Sequence, residues 1–236
     1  MPILYTFPEL DYLNVTETGI EVNPHKKWTN RGFYQAEGLV SPDRTLFYLA
    51  MPKNASSSIK DQLFNLGWEV GDFYEFPDTK VIVTIRDPIE RWISGIAEYL
   101  ILYHSDIIEQ IVDPDIYQCL PLLHEKLAIS LIFNTITFDD HTDRQCFFLS
   151  GLDFSRCIWL NFKTLNITFP KLLKEFNQTD SLITLDNMNN SDENIRKKDL
   201  KNLFKLILKT NNHAENKLKE YFWCDYKLIN RVKFYD

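Results

Sequence analysis

Two segments of the sequence each place a buried apolar strand directly before a polar loop and an amphipathic helix. In the first, residues 45–51 (TLFYLAM) are the strand and residues 56–66 the helix. In the second, residues 80–85 (KVIVTI) are the strand and residues 88–103 the helix. Continuous apolar runs of this length are typical of strands that are buried on both faces of a parallel sheet. The pattern predicts a single α/β domain with a central parallel sheet flanked by helices.

A third unit of the same kind follows, with a strand predicted at residues 156–161 (RCIWLN) and a helix at residues 165–176. A short strand is predicted at residues 182–185, and three further helices are predicted at residues 116–133, 192–209 and 212–222. Residues 1–44 are rich in turn-forming residues and show no clear period. We therefore expect an irregular N-terminal segment, 1–44, packed on a domain formed by residues 45–236.

Composition excludes several classes of protein. The chain is 44% hydrophobic, which suits a folded core, and its net charge of −7 is opposite in sign to that of a general nucleic-acid binder. No apolar stretch is long enough to span a membrane, and no basic leader follows Met1, so we expect a cytoplasmic location. Because the net charge is negative, any anion-binding site must be formed by a local group of residues.

The first loop, PKNASSS at residues 52–58, has the composition of an anion-binding loop. Small residues let backbone N–H groups approach an anion, and the helix that follows adds the positive end of its dipole. Lys53 stands at the strand end, whereas in the NTPase pattern GxxxxGK[ST] the lysine comes just before the helix and a hydroxyl binds Mg²⁺. This order favours a transfer without metal. A serine-rich helix cap without a ligand would have the same composition.

The second loop begins with Arg86, which closes the strand at residues 80–85, and continues as RDPIERWIS to Ser94. A guanidinium and a hydroxyl at a strand–helix junction can bind a phosphate, although the same residues could form a structural ion pair and helix cap. Two anion sites on neighbouring strand ends suit a nucleotide that carries phosphates at both ends of the nucleoside. The carboxyl edge of the sheet is where such a ligand would bind.

This pairing resembles the cofactor-binding elements of sulfotransferases that use 3′-phosphoadenosine 5′-phosphosulfate (PAPS). The second run, from Arg86 to Ser94, is especially similar to carbohydrate sulfotransferases of the heparan sulfate 2-O type. The resemblance covers roughly residues 45–236 and implies a P-loop NTPase-like sulfotransferase fold. It also implies in-line transfer of a sulfuryl group from PAPS to an acceptor hydroxyl, with 3′,5′-ADP as product and no metal.

The resemblance assigns roles to particular residues. Lys53 would act in catalysis on the leaving oxygen, and Arg86 and Ser94 would hold the 3′-phosphate. The 5′-phosphosulfate would be held by the whole first loop, which comprises Pro52, Lys53, Asn54, Ala55, Ser56, Ser57 and Ser58. His141 and Gln145 match a His-x-x-x-Gln element of the family and are candidates for the substrate side.

The general base is the point at which the chain departs from the family, because residues 59–85 contain no histidine. Glu69 is the preferred candidate, since it follows the loop helix and the neighbouring Trp68 could raise its pKa. The alternative is that Glu69 is a solvated surface charge. Other carboxylates in reach are Asp61, Asp72, Glu75 and Asp78, and His141 is a candidate from outside this segment.

Two other functions stay open at this point. One is a non-catalytic member of the same fold that binds nucleotide or glycan, and the other is a Mg²⁺-dependent phosphotransferase on a P-loop-like sheet. For the sulfotransferase, the partner would be a hydroxyl-bearing acceptor, a glycan by preference because of the carbohydrate resemblance, or a small molecule. The sequence assigns no oligomeric state.

Overall fold

The computed structural model of the protein describes residues 13–22, 37–103, 132, 140–179, 185 and 195–236. Almost all of the helix predicted at 116–133 and of the strand predicted at 182–185 lies outside these residues. The chain divides into two compact units. The sheet unit comprises Asp11–Asp87, Arg144–Met188 and Cys224–Asp236, and the helical unit comprises Met1–Leu10, Pro88–Asp143 and Asn189–Trp223.

The described strands all belong to the sheet unit. They are β1 (Leu13–Val15), β2 (Ile20–Val22), β3 (Glu37–Val40), β4 (Leu46–Leu49), β5 (Glu69–Asp72), β6 (Lys80–Ile85) and β7 (Cys157–Asn161). β1 and β2 form an antiparallel pair of their own, and the other five form one sheet in the order β5-β3-β4-β6-β7. The parallel arrangement of β4, β6 and β7 confirms the prediction for the centre of the sheet.

Five of the described α-helices lie close to their predicted bounds, and two short ones, at residues 145–148 and 223–229, were not predicted. The described helices are α1 (Ser56–Asn65), α2 (Pro88–Tyr103), α3 (Gln145–Phe148), α4 (Leu165–Glu175), α5 (Ile195–Thr210), α6 (Asn212–Tyr221) and α7 (Trp223–Ile229). In the sheet unit, α1 and α4 cover one face of the sheet, where Ile59, Leu63 and Phe169 join a buried cluster with Tyr48 and Ile82. This packing fixes the start of α1 at the end of β4. Within the described residues, no helix is both long and apolar enough to cross a membrane.

The sheet is mixed, which corrects the expectation of a parallel sheet throughout. β3 lies in the segment that was expected to be irregular, and it runs antiparallel to both β4 and β5. The connection from β3 to β4 is a short turn, and only antiparallel strands can be joined so closely. The Oγ of Ser41, in that turn, accepts hydrogen bonds from the backbone N–H groups of Thr45 and Leu46 at 3.2 and 3.0 Å.

The helical unit is built on contacts between α2 and α5. The ring of Trp92 meets that of Phe204 edge to face, with 5.4 Å between the ring centroids. Two ion pairs join the same helices, Lys197 with Glu98 and Lys205 with Glu90. Trp92 is a fully buried core residue, and Ile93, Ile96 and Leu100 of the same helix are buried as well.

Candidate functional site

The first predicted loop joins β4 to α1 and adopts a strained backbone without glycine. Lys53 has a φ of 65° and Ala55 a φ of 64°, both in the left-handed region. This conformation costs a residue with a side chain roughly 1–2 kcal/mol. Two such residues within three positions turn the chain sharply from the strand into the helix. Strain of this kind is characteristic of loops whose backbone geometry is used for binding.

The start of α1 has the properties of an anion site. Ala55 precedes the helix and provides no side-chain cap, and the first turn carries no acidic residue. The backbone N–H groups of the first turn have no acceptor within the helix, because helical bonding begins with the N–H of Ile59 to the carbonyl of Ala55 at 3.0 Å. Ser57 is exposed, while Ser56 and Ser58 are half-buried. Backbone donors and hydroxyls are therefore available at the positive end of the helix dipole.

Asn54, at the centre of the loop, points into the protein and is fully buried. Its Nδ2 donates to the carbonyl oxygen of Thr84 at 2.6 Å and to Oε1 of Gln145 at 2.8 Å. Thr84 belongs to β6, so the side chain ties the loop to the neighbouring strand. The amide of Asn54 therefore holds the loop in shape, and its backbone N–H also bonds inside the loop, to the carbonyl oxygen of Met51 at 3.3 Å.

Arg86 follows β6 at the same edge of the sheet as the Lys53 loop. Its Nη1 donates to the carbonyl oxygen of Lys53 at 3.0 Å, and its guanidinium lies over the ring of Phe162, 4.5 Å from the centroid. The parallel pairing of β4 with β6 produces this contact, because parallel strands end at the same edge. The loops of the two predicted anion sites thus lie side by side.

Gln145 was expected on the substrate side, but its side chain is fully buried beside Arg86. Its Oε1 accepts from the backbone N–H of Arg86 at 3.0 Å, and its Nε2 donates to the carbonyl oxygen of Arg86 at 2.8 Å. With the bond from Asn54, both polar atoms of the amide are bonded within the protein. The structure corrects the expected placement of Gln145, which faces the two loops from inside.

Asp225 is a buried residue of this region that the sequence did not single out for a role. Its carboxylate accepts from the backbone N–H groups of Gln145 and Cys146, at 2.9 and 2.8 Å, and so caps the start of α3. The signal available in the sequence was an aspartate in an aromatic C-terminal segment. No spacing rule connects that residue to α3, which is about 80 residues earlier.

Cys146, Cys224 and Asp225 bring their potential metal-ligating atoms within 4.8 Å of one another, although the sequence showed no ligand spacing. All three residues are buried. Burial, followed by the hydrogen bond to Cys224 and the charge of Asp225, raises the pKa of the Cys146 thiol well above its ordinary value. The thiol is therefore neutral at physiological pH, and the Asp225 carboxylate serves as a helix cap.

Glu69 begins β5, at the end of the sheet that lies away from the Lys53 loop. The register aligns Glu69 with Val40 and Phe47, near the start of β4. Asp72, at the other end of β5, is aligned with Glu37, whose carbonyl accepts from the N–H of Ala50 at the beginning of the loop. The strand positions therefore argue against Glu69 as the base and place Asp72 at the edge where the loop lies.

Three residues of the predicted site region belong to the helical unit. Ser94 lies on α2 and is 5% exposed. Arg91, also on α2, is buried, and it donates to the carbonyl oxygens of Asp143 and, at 3.1 Å, Asp140. Arg91 therefore supports the backbone of residues 140–143, the segment that carries His141.

His141 is partly exposed and pairs with the residue before it. Its Nδ1 lies 3.2 Å from Oδ1 of Asp140. Burial raises the pKa of Asp140, but the hydrogen bond and charge of His141, together with the charge of Arg91, outweigh it and hold that pKa below its ordinary value. Gly95 of α2 allows the backbone of His141 to lie close to the helix, since a Cβ at position 95 would lie 2.1 Å from the carbonyl oxygen of His141.

Comparison with known proteins identified no relative of this chain. No family model, curated protein or solved structure matches the chain. What can be inferred about function therefore depends on the residues at the carboxyl edge of the sheet.

Proposed function

We propose that this protein is a sulfotransferase that uses PAPS to sulfate an acceptor hydroxyl. The observation that carries the proposal is the contact between Arg86 Nη1 and the carbonyl oxygen of Lys53, 3.0 Å apart at the end of two parallel strands. This contact brings the guanidinium of Arg86 next to the loop that begins with Lys53 and ends at the uncapped start of α1. A nucleotide with a 5′-phosphosulfate and a 3′-phosphate needs such donors at both of its charged groups.

The residues at the edge of the sheet have chemistry that fits this donor. The backbone amides at residues 55–58, with the Ser57 and Ser58 hydroxyls, would hold the 5′-phosphate, and Arg86 would hold the 3′-phosphate. Bound PAPS supplies the sulfuryl group and leaves as 3′,5′-ADP. Lys53 would stabilise the negative charge that grows on the departing phosphate oxygen, as cations do in phosphoryl transfer. Ser94, as a second ligand of the 3′-phosphate, stays a prediction from the sequence.

The carboxylate that we propose as general base is Asp72, which would take the proton from the acceptor hydroxyl. It is half-buried, and its Oδ1 accepts from the N–H of Tyr74 at 2.9 Å, which fixes the orientation of the carboxylate. β5 is two strands away from β4, roughly 10 Å across the sheet. An acceptor bound between Asp72 and Lys53 would have room for a sugar ring. A glycan is accordingly the preferred acceptor, and a small hydroxyl compound is the other.

Asp72→Asn should lower turnover by about 10²-fold or more, which is the usual contribution of a general base. Asparagine keeps an oxygen that can accept from Tyr74, so the turn after β5 should be preserved. Glu69→Gln, on the same strand, is the matched control and should stay within about a factor of two of wild type. Transfer from labelled PAPS to the best acceptor of a glycan and small-molecule screen measures both. A large loss in Glu69→Gln with an active Asp72→Asn would return the base to Glu69.

Titration calorimetry of the wild-type protein with 3′,5′-ADP tests the proposed function directly. We expect binding in the presence of a chelator, and at least about tenfold tighter binding than ADP, because only the first ligand has a 3′-phosphate for Arg86. Binding of ATP that requires Mg²⁺ would instead support the phosphotransferase. Metal-free binding of 3′,5′-ADP without any turnover of PAPS would support a non-catalytic member of the fold.

A further inference from the structure

We propose that Gln145 is a positioning residue that sets the geometry of both anion-binding loops at once. This inference deepens the proposed function, and it rests on that function for its effect on nucleotide binding. Its structural basis is independent of any ligand. The side-chain amide of Gln145 makes three hydrogen bonds, all of them to residues of the two loops or the strand end between them.

The first part of the argument concerns the end of β6. The sheet ladder between β6 and β7 ends with the pair Ile85 and Asn161, so the backbone of Arg86 lies beyond it. Oε1 of Gln145 accepts from the N–H of Arg86, and Nε2 donates to its carbonyl oxygen. One side-chain amide thus bonds Arg86 as a neighbouring strand would. With the backbone fixed in this way, the direction in which the guanidinium leaves the sheet is fixed too.

The second part concerns the Lys53 loop. Oε1 of Gln145 also accepts from Nδ2 of Asn54 at 2.8 Å, so one oxygen bonds both loops. Asn54 lies between Lys53 and Ala55, whose left-handed backbones are unfavourable without support. A displaced Gln145 amide would release the central side chain of that strained loop. The position of Lys53 and the spacing of the loop from Arg86 therefore both depend on Gln145.

The third part concerns the support of Gln145 itself. It is the first residue of α3, a helix of only four residues, and its backbone N–H is bound by the carboxylate of Asp225. Gln145 and Asp225 are both at least 99% buried. Since hydrogen bonds in a buried site are not exchanged with water, the amide has little freedom to turn. The buried carboxylate of Asp225, on α7, therefore holds Gln145 in the orientation in which its amide bonds both loops.

Hydrogen exchange and nucleotide binding, measured on Gln145→Met, test this role. Methionine has a similar length but offers no amide, so the N–H of Arg86 loses its acceptor. We expect exchange at the Arg86 amide to accelerate at least about tenfold, and faster exchange at residues 54–58. The preference for 3′,5′-ADP over ADP should fall by at least about tenfold, because Arg86 is no longer held in place.

Ser41→Ala is the matched control. Ser41 is as deeply buried, and its Oγ holds the turn at the opposite end of β4. This variant should accelerate exchange at Thr45 and Leu46 and leave both the Arg86 amide and the nucleotide preference unchanged. A loss of stability alone would affect the two variants alike, so the nucleotide preference separates positioning from general destabilisation.

Unchanged protection of the Arg86 amide in folded Gln145→Met would overturn the inference, as would an unchanged nucleotide preference. If Gln145→Met does not fold, Gln145→Glu replaces it, since glutamate keeps the shape but replaces the Nε2 donor to the Arg86 carbonyl by a carboxylate oxygen, which adds a negative charge. It should lower the same preference. If wild-type protein binds no 3′,5′-ADP, the proposed function fails, and the exchange experiment alone then decides the role of Gln145.

Discussion

Replacing Lys53 by alanine should lower sulfuryl transfer by about 10²–10³-fold, the usual effect of removing one group that stabilises charge in a transition state. The loss should appear in kcat, because the charge on the departing oxygen grows only as the reaction proceeds. Binding of 3′,5′-ADP should weaken much less. The measurements are single-turnover transfer from labelled PAPS and calorimetry on the same preparation.

Two variants control for changes of structure. Lys60→Ala removes a lysine from α1, the helix that follows the loop, and should keep wild-type turnover. Lys53→Gly removes the same charge, so it should lose activity as Lys53→Ala does. Because glycine adopts the left-handed backbone without strain, Lys53→Gly should unfold at a higher temperature than Lys53→Ala. Near wild-type turnover in Lys53→Ala would contradict the assignment of Lys53 to the leaving oxygen.

Arg86→Ala should weaken binding of 3′,5′-ADP by about 10–100-fold, the range expected for lost hydrogen bonds to a charged group. ADP has no 3′-phosphate, so its binding should fall far less. Part of that smaller loss has a structural origin, because Arg86 Nη1 also supports the carbonyl of Lys53. Competition calorimetry with the two nucleotides gives the difference directly.

Arg156→Ala is the matched control for Arg86→Ala. Arg156 also donates to backbone carbonyls, those of Phe76 and Thr79, but it precedes β7 and so lies at the other end of the sheet. It should lower stability without changing either nucleotide affinity. Equal losses of 3′,5′-ADP and ADP binding in Arg86→Ala would remove Arg86 from the 3′-phosphate.

The parts of the fold that the sequence predicted well are those with strong local signals. β6 has five consecutive residues of high strand propensity after Lys80, and α2 begins at Pro88, a residue suited to the first turn of a helix. Once both strand–helix units are recognised, the meeting of Arg86 with the Lys53 loop follows from parallel pairing. No such signal marks β3, which has only four residues, one of them Gly38, and which pairs because β4 is next to it.

The parts of the candidate site that the sequence did not predict depend on contacts between distant residues. Gln145 lies 91 positions from Asn54 and 59 from Arg86, and Asp225 is a further 80 positions along the chain. Glu69 and Asp72 differ by three residues, and only the register with β3 shows which of them is at the carboxyl edge. Local patterns identify donors and acceptors, but pairing within the sheet decides which of them lie together.

The burial of Asn54 has a consequence for covalent modification. Asn54-Ala55-Ser56 is an acceptor sequence for N-glycosylation, which attaches a sugar to Nδ2 of the asparagine. In the folded protein that nitrogen already donates to Thr84 and Gln145, and the side chain has no exposed surface. A glycan at Asn54 and the folded loop therefore exclude each other: a chain that received the sugar before folding could not close the loop, and a chain that folded first could not receive it.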